Sequence, residues 1–135
     1  MAQPKETNAT DMSGLEGKIL QFPSHGIVLI IDGKARGIPN VPAFQNMFGA
    51  AKPENKEDAW YKVLTIGRNF PDGCCLVKAQ SDAIYLMDLT NDNKLVKRHL
   101  LPDAMNKYKF DQGTPKDIPN IVMNAIPFGQ EITGK

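Results

Sequence analysis

Three glycines, Gly17, Gly73 and Gly129, stand 56 residues apart (73 − 17 and 129 − 73), and three positions after each the residue is apolar: Leu20, Leu76 and Ile132. Related tetrads lead into two of them, Phe70-Pro71-Asp72-Gly73 and Ile126-Pro127-Phe128-Gly129. Recurrence at a fixed period means that one supersecondary unit is used more than once, a tighter constraint on the fold than composition supplies. The reading is of repeat 1 over 17–72, repeat 2 over 73–128, and the opening strand of a third over 129–135.

Each repeat opens on a short apolar run, Lys18-Ile19-Leu20 or Cys74-Cys75-Leu76. After a polar turn it continues as Ile27 to Ile31 or Ile84 to Met87. β-branched residues between turn formers read as strand, because they pack well on a pleated surface. Ile27 to Ile31 is apolar on both faces, so this strand is expected to be covered on both sides. Asp32-Gly33 is a strong hairpin signal, with Lys34 to Ile38 returning. Repeat 2 has the longer loop Thr90-Asn91-Asp92-Asn93 there and returns along Lys94 to Leu100. The apolar period then becomes helical, through Val41, Phe44, Met47 and Phe48, and through Ala104, Met105 and Tyr108. Asn40 and Asp103 are the predicted N-caps, and Gly49 the stop of the first helix. The charged insert 51–58 reads as a surface loop, and Val63 to Ile66 and Ile118 to Val122 as closing apolar segments.

The expected fold is mainly β with short helices, a minor α+β component. Two pseudo-symmetric repeats of about 56 residues should pack as one domain over 14–135, since a unit of that size buries its own apolar face poorly. Residues 1–13 read as a mobile polar tail. Ile19, Leu29, Ile31, Cys75, Leu86 and Ile121 are the predicted core, with Cys75 inward because it aligns with Ile19 at the 56-residue period. The terminal strand start, Glu131 to Thr133, is expected to pair beside Lys18 to Phe22 and so close the sheet.

Sixteen Lys and Arg against fifteen Asp and Glu leave a net charge of +1, which removes the electrostatic warrant for nucleic acid or an anionic membrane as partner. The one basic cluster, Lys94, Lys97, Arg98 and His99, reads as a solvated strand face. No segment approaches the roughly twenty apolar residues of a membrane span, so no membrane insertion is expected. Without a basic and apolar leader the chain reads as cytoplasmic; if a leader has been removed, it is secreted, and only then does the sequon Asn8-Ala9-Thr10 matter. The two cysteines are adjacent, about 3.8 Å apart at Cα, below the disulfide range that opens near 4.4 Å. No structural disulfide is therefore expected, and a reducing compartment fits.

Signatures of catalysis are missing: no nucleophile elbow, P-loop, dinucleotide fingerprint or paired-histidine zinc motif. His25 adjoins Ser24, but adjacent side chains seldom face one another as base and nucleophile must. The chain is read as no enzyme, with no catalytic residue, metal site or cofactor. Asp88, Asn91, Asp92 and Asn93 suggest calcium ligands but lack the alternating spacing and bidentate glutamate of an EF-hand, so they read as a polar hairpin loop. The compact polar set is Asp32, Lys34, Arg36 and Asn40, with Trp60, the single tryptophan, as a flat stacking platform. Its mixture of donors and acceptors suits a neutral polyhydroxyl ligand. Asn91, Asp92 and Asn93 are the corresponding candidates in repeat 2.

The run Ile27-Val28-Leu29-Ile30-Ile31-Asp32-Gly33-Lys34-Ala35-Arg36-Gly37-Ile38-Pro39-Asn40, followed by Phe44, Phe48-Gly49, Trp60, Val63 and Phe70-Pro71-x-Gly73, resembles the tandem "YLI-x-DGK-x-R-x-IP" repeat of bacterial secreted and cell-surface proteins. Repeat 2 keeps Ile84-Tyr85-Leu86, Leu101-Pro102 and Pro127-x-Gly129 but lacks the Asp-Gly hairpin. The resemblance implies a non-catalytic surface-recognition module. Taken with the polar set, the expected function is carbohydrate recognition of a lectin-like kind, with glycans as partners and a homo-oligomer wherever binding is multivalent. The alternative is a structural or protein-interaction module using exposed strand edges, and the third reading a hydrolase with an unrecognised site.

Overall fold

The computed structural model describes residues 13–134. The predicted tail 1–13 lies outside them except for Ser13, which opens a single 3-10 turn, Ser13–Leu15. The architecture is mainly β with short helices, as two four-stranded sheets. The first runs β3-β2-β1-β4, from β1 (Ile19–Phe22), β2 (Gly26–Ile31), β3 (Lys34–Gly37) and β4 (Glu54–Asn55). The second repeats that order as β7-β6-β5-β8, from β5 (Leu76–Lys78), β6 (Ile84–Leu89), β7 (Leu95–Leu100) and β8 (Lys116–Asp117). In both, three antiparallel strands form a meander and the fourth adds in parallel at the edge of its first strand. The helices are α1 (Val41–Phe48), α2 (Asp58–Tyr61), α3 (Pro102–Lys107) and α4 (Asn120–Ala125). None is long and apolar enough to cross a membrane.

The chain divides into two compact units, one of residues up to Ile38 with Lys52–Asn69, the other of Pro39–Ala51 with Phe70–Lys135. Helix α1, part of repeat 1 in sequence, thus belongs to the second unit. There the Cys74 thiol lies 3.8 Å from Met47 and the Phe48 ring stacks 5.4 Å from Phe110. The N-cap assigned to Asn40 is present, its Oδ1 accepting from the Ala43 N–H at 2.9 Å, and Gly49 ends the helix. Asp103 is not a cap. Pro102 begins α3 one residue earlier, Leu101 holds the cap position, and Asp103 sits in the first turn, where its charge complements the helix dipole.

Strand pairing corrects the period. Gly17 and Gly73 occupy matching turns with φ of 90° and 82°, closed by the Lys18 N–H on the Leu15 carbonyl and the Cys74 N–H on that of Pro71. Immediately beyond, Ile19 pairs with Leu29 as Leu76 pairs with Leu86, so the strands are 57 apart (76 − 19). Repeat 2 therefore carries one additional residue after its turn, and every side chain there changes face relative to the 56-residue alignment. Cys74, not Cys75, is the buried cysteine, at 2% exposure, while Cys75 is half-buried. The longer hairpin widens the separation again: Leu29 faces Arg36 and Leu86 faces Arg98, 62 apart (98 − 36). At that separation Gly129 matches Gly67 rather than Gly17, and no third copy begins there.

The insert 51–58 is more than a loop. It supplies β4 and the start of α2, and the segment then crosses one face of the sheet to reach the far side of β3. Ala35 donates its N–H to the Thr65 carbonyl and accepts from Gly67 N–H; Lys97 does the same with Pro127 and Gly129. The approach is close: a Cβ on Gly67 would lie 2.9 Å from Lys34 Cβ, and one on Gly129 2.7 Å from Val96 Cγ2. Of the predicted core, Ile19, Leu29, Ile31 and Leu86 are buried. Ile121 is 80% exposed, because the stretch read as a closing apolar segment runs into helix α4, which turns Met123 inward and Ile121 to solvent. The terminal residues do not pair beside Lys18 to Phe22. Ile132 N–H donates to the His99 carbonyl and the Ile132 carbonyl accepts from Leu101 N–H, adding a bridge to β7.

Ile132 is 2% exposed, so Ile132→Ala should cost about 2–5 kcal/mol through lost transfer energy and the cavity left behind. Ile121→Ala should stay within about 0.5 kcal/mol. Urea unfolding of the two variants against the parent reads both values.

Candidate functional site

The Asp32-Gly33 hairpin is held from below. Asp32 N–H and Gly33 N–H donate to the two carboxylate oxygens of Glu16 at 2.8 and 3.0 Å, which satisfies the turn and supports the positive φ of Asp32. Lys34 is exposed, whereas Arg36 is buried and its Nε donates to the Arg68 carbonyl at 2.8 Å. Trp60 projects from α2 onto the cluster of Leu20, Phe22, Val28, Ile30, Ala35 and Leu64, with Lys56 Nζ 4.9 Å from its ring centre. Asp32, Lys34, Arg36 and Trp60 belong to the first unit and Asn40 to the second. Asn40 caps α1 and donates its Nδ2 to Asp72 at 2.8 Å. His25 stacks on Tyr61 at 3.7 Å. Asp58 accepts from the Ser24 N–H, and hydrogen bonds from Ser24 hold its carboxyl below the usual value.

In the second unit, Asn91, Asp92 and Asn93 form a hairpin loop that organises itself. Thr90 Oγ1 donates to Asp92, Lys94 N–H donates to Thr90 Oγ1 at 3.1 Å, and Asn93 takes a positive φ. Asp88 stands apart from that loop, buried and with its Oδ2 3.5 Å from Arg98 Nη1. The basic run on β7 is therefore not a solvated face: Lys97 and Arg98 are 4% and 5% exposed. Arg98 Nε donates to the Gln130 carbonyl, and Lys97 Nζ donates to Met123 at 2.6 Å between the rings of Tyr85 and Phe128.

Sequence reasoning missed a groove of about 320 Å³ in the second unit. Its floor is Val77 of β5, Met87 of β6 and Leu95 of β7; Ile118, Val122 and Ile126, at and around α4, form one wall, and the turn at Pro71 to Cys75 closes an end. Strand alternation sends Cys75, Val77 and Met87 to this face while Leu76 and Leu86 pack on the other. Leu95 and Val122 remain 46% and 44% exposed. Partial burial raises the Cys75 thiol above its ordinary pKa, partly opposed by the positive charge of Lys116. The surroundings suit an apolar ligand and offer few partners to a hydroxylated one. The aliphatic lining residues read as ordinary core in isolation; only the 62-residue alignment, which sets Val122 against Trp60, gives the groove away. No family model matches the chain, and no curated protein or solved structure matches it.

The thiolate is the reacting form of cysteine, so a raised pKa delays its appearance. Cys75 should accept iodoacetamide only as pH rises above the range of an ordinary exposed thiol, and Cys74 more slowly at every pH. Mass spectrometry of the two sites across a pH series checks both the order and the direction.

Proposed function

We propose that the protein is a non-catalytic binding module and that its ligand site is the apolar groove of the second unit. The observation that carries this reading is the open apolar volume itself. At about 320 Å³ it lies at the lower end of the range of small-ligand sites, and it leaves Leu95 and Val122 partly in water. Water against the apolar floor and wall of a concave surface is displaced favourably by an apolar ligand. The carbohydrate reading of the Asp32 hairpin draws less support. A sugar needs polar groups it can reach, and Arg36 is buried while Asn40 holds its amide oxygen on Ala43 and its amide nitrogen on Asp72.

Methyl-resolved NMR distinguishes the two. Small neutral apolar compounds should shift the methyl signals of Val77, Leu95 and Val122. Val122→Asp should weaken that binding by about tenfold or more, through the cost of desolvating a charge. Because Val122 is 44% exposed, its melting temperature should stay near that of the parent. A glycan panel that shifts Lys34 and the Asp32 hairpin, with the groove methyls unmoved, would return the site to the hairpin.

A further inference from the structure

The two units make the same wall from different residues. Lys56 N–H bonds the Gln21 carbonyl as Ile118 N–H bonds that of Lys78; Trp60 N–H bonds Glu57 as Val122 N–H bonds Pro119. Leu64 N–H bonds Tyr61 as Ile126 N–H bonds Met123. Even a side-chain contact recurs, Asp58 Oδ1 accepting from Ser24 N–H and Asn120 Oδ1 from Gln80 N–H. The separation is 62 throughout α2 and α4 (118 − 56, 122 − 60, 126 − 64). On the sheet, Leu20 and Ile30 match Val77 and Met87. Leu15, from the turn, matches Pro71.

In the first unit this face is filled: Trp60 and Leu15 pack on Leu20, Ile30 and Leu64. In the second, the counterparts Pro71, Val77, Met87, Val122 and Ile126 all border the groove. Where the first unit has the indole of Trp60 the second has the isopropyl group of Val122, and the groove lies beside it.

Building on the groove reading above, we infer that the second unit's site takes a flat, uncharged aromatic ring of about indole size, in the place where the first unit seats Trp60. Two differences define the ligand further. Lys56, whose ammonium lies over the Trp60 ring, is replaced by Ile118, so no cation faces the incoming ring from that position. Sulfur borders the site at Cys75 and Met87, and polarizable sulfur makes favourable contacts with ring edges. The ligand is therefore a neutral aromatic, as a free small molecule or as the side chain of a peptide, the same chemistry recognising both.

Indole itself is the probe, with 1-hexanol as an apolar control that has no ring. Indole should shift the methyls of Val77, Val122 and Ile126, and hexanol should bind about tenfold more weakly or less, since a flexible chain loses more freedom on binding. Val122→Trp should abolish the indole shifts while holding or raising the melting temperature, because it supplies the missing ring. Trp60→Val should open a second site, seen as new indole shifts at Leu20 and Leu64; if that variant melts early, indole should raise its melting temperature. A tryptophan-bearing tripeptide that shifts the same methyls identifies a side chain as an accepted form, and one that does not restricts the site to the free ring. Hexanol binding as well as indole would overturn the ring selectivity and leave the groove standing. Binding by neither would remove both readings, and indole shifts that survive Val122→Trp would overturn the placement of the ring.

Discussion

Each sheet depends on a buried arginine that draws a strap across its outermost meander strand. Arg36 donates to the Arg68 carbonyl and Arg98 to that of Gln130, both at 2.8 Å. A guanidinium cannot shed its charge, so once buried it must be met by acceptors in fixed places. The carbonyls come from the segment that returns beside β3 or β7, where a glycine permits the contact. One continuous segment thereby serves three ends. It adds β4 or β8 at one edge, lays α2 or α4 across a face, and bonds the opposite edge. Strand edges are exposed backbone that invites pairing with other chains. Here the partial closure of both edges weakens the case for a module that works through open strand edges.

The meanders were legible because their signals are local. Asp32-Gly33, the apolar run Ile27 to Ile31 and the cap at Asn40 each act within a few residues, and each has its expected form. The errors arise where geometry is set at long range. One residue added after Gly73 leaves the spacing of glycines intact and moves every strand side chain to the other face, which is why Cys74 and Cys75 exchange roles. The third glycine matched the period by coincidence: Gly17 and Gly67 are 50 apart (67 − 17), and the six residues added in the second unit (62 − 56) stretch the equivalent separation, Gly73 to Gly129, to 56. For Ile121, apolar identity alone does not distinguish a strand between two layers from a short helix on a surface. The two-residue strands β4 and β8 carry no apolar pattern, and their pairing with β1 and β5 is a property of the fold rather than of their composition.

The polar candidates illustrate a different limit. Composition identifies which side chains can donate and accept, but not which have already done so. Arg36 binds Arg68, Asn40 caps a helix, and Asp88 pairs with Arg98, so much of the polar inventory maintains the scaffold. The groove is illegible for the opposite reason, since a concave apolar surface and a filled core use the same residues. It becomes visible through comparison within the chain, where one unit supplies the ring that the other lacks.

The same comparison explains the buried lysine. Ala35 in the first unit corresponds to Lys97 in the second, and Ile66 to Phe128. Ala35 lies in an apolar cluster against which Trp60 packs, surroundings that suit a small apolar side chain. In the second unit the helix wall is thinner at Val122, and Lys97 extends its stem along the sheet to reach the Met123 carbonyl, with Phe128 4.4 Å and Tyr85 5.4 Å from its ammonium. A long amphipathic side chain can fill volume with its methylenes while its head finds an acceptor and the negative faces of two rings. Lys97 thereby ties α4 to the sheet through the Met123 carbonyl. The unit that lacks the indole thus holds its helix from the sheet by a lysine, where its counterpart packs an indole.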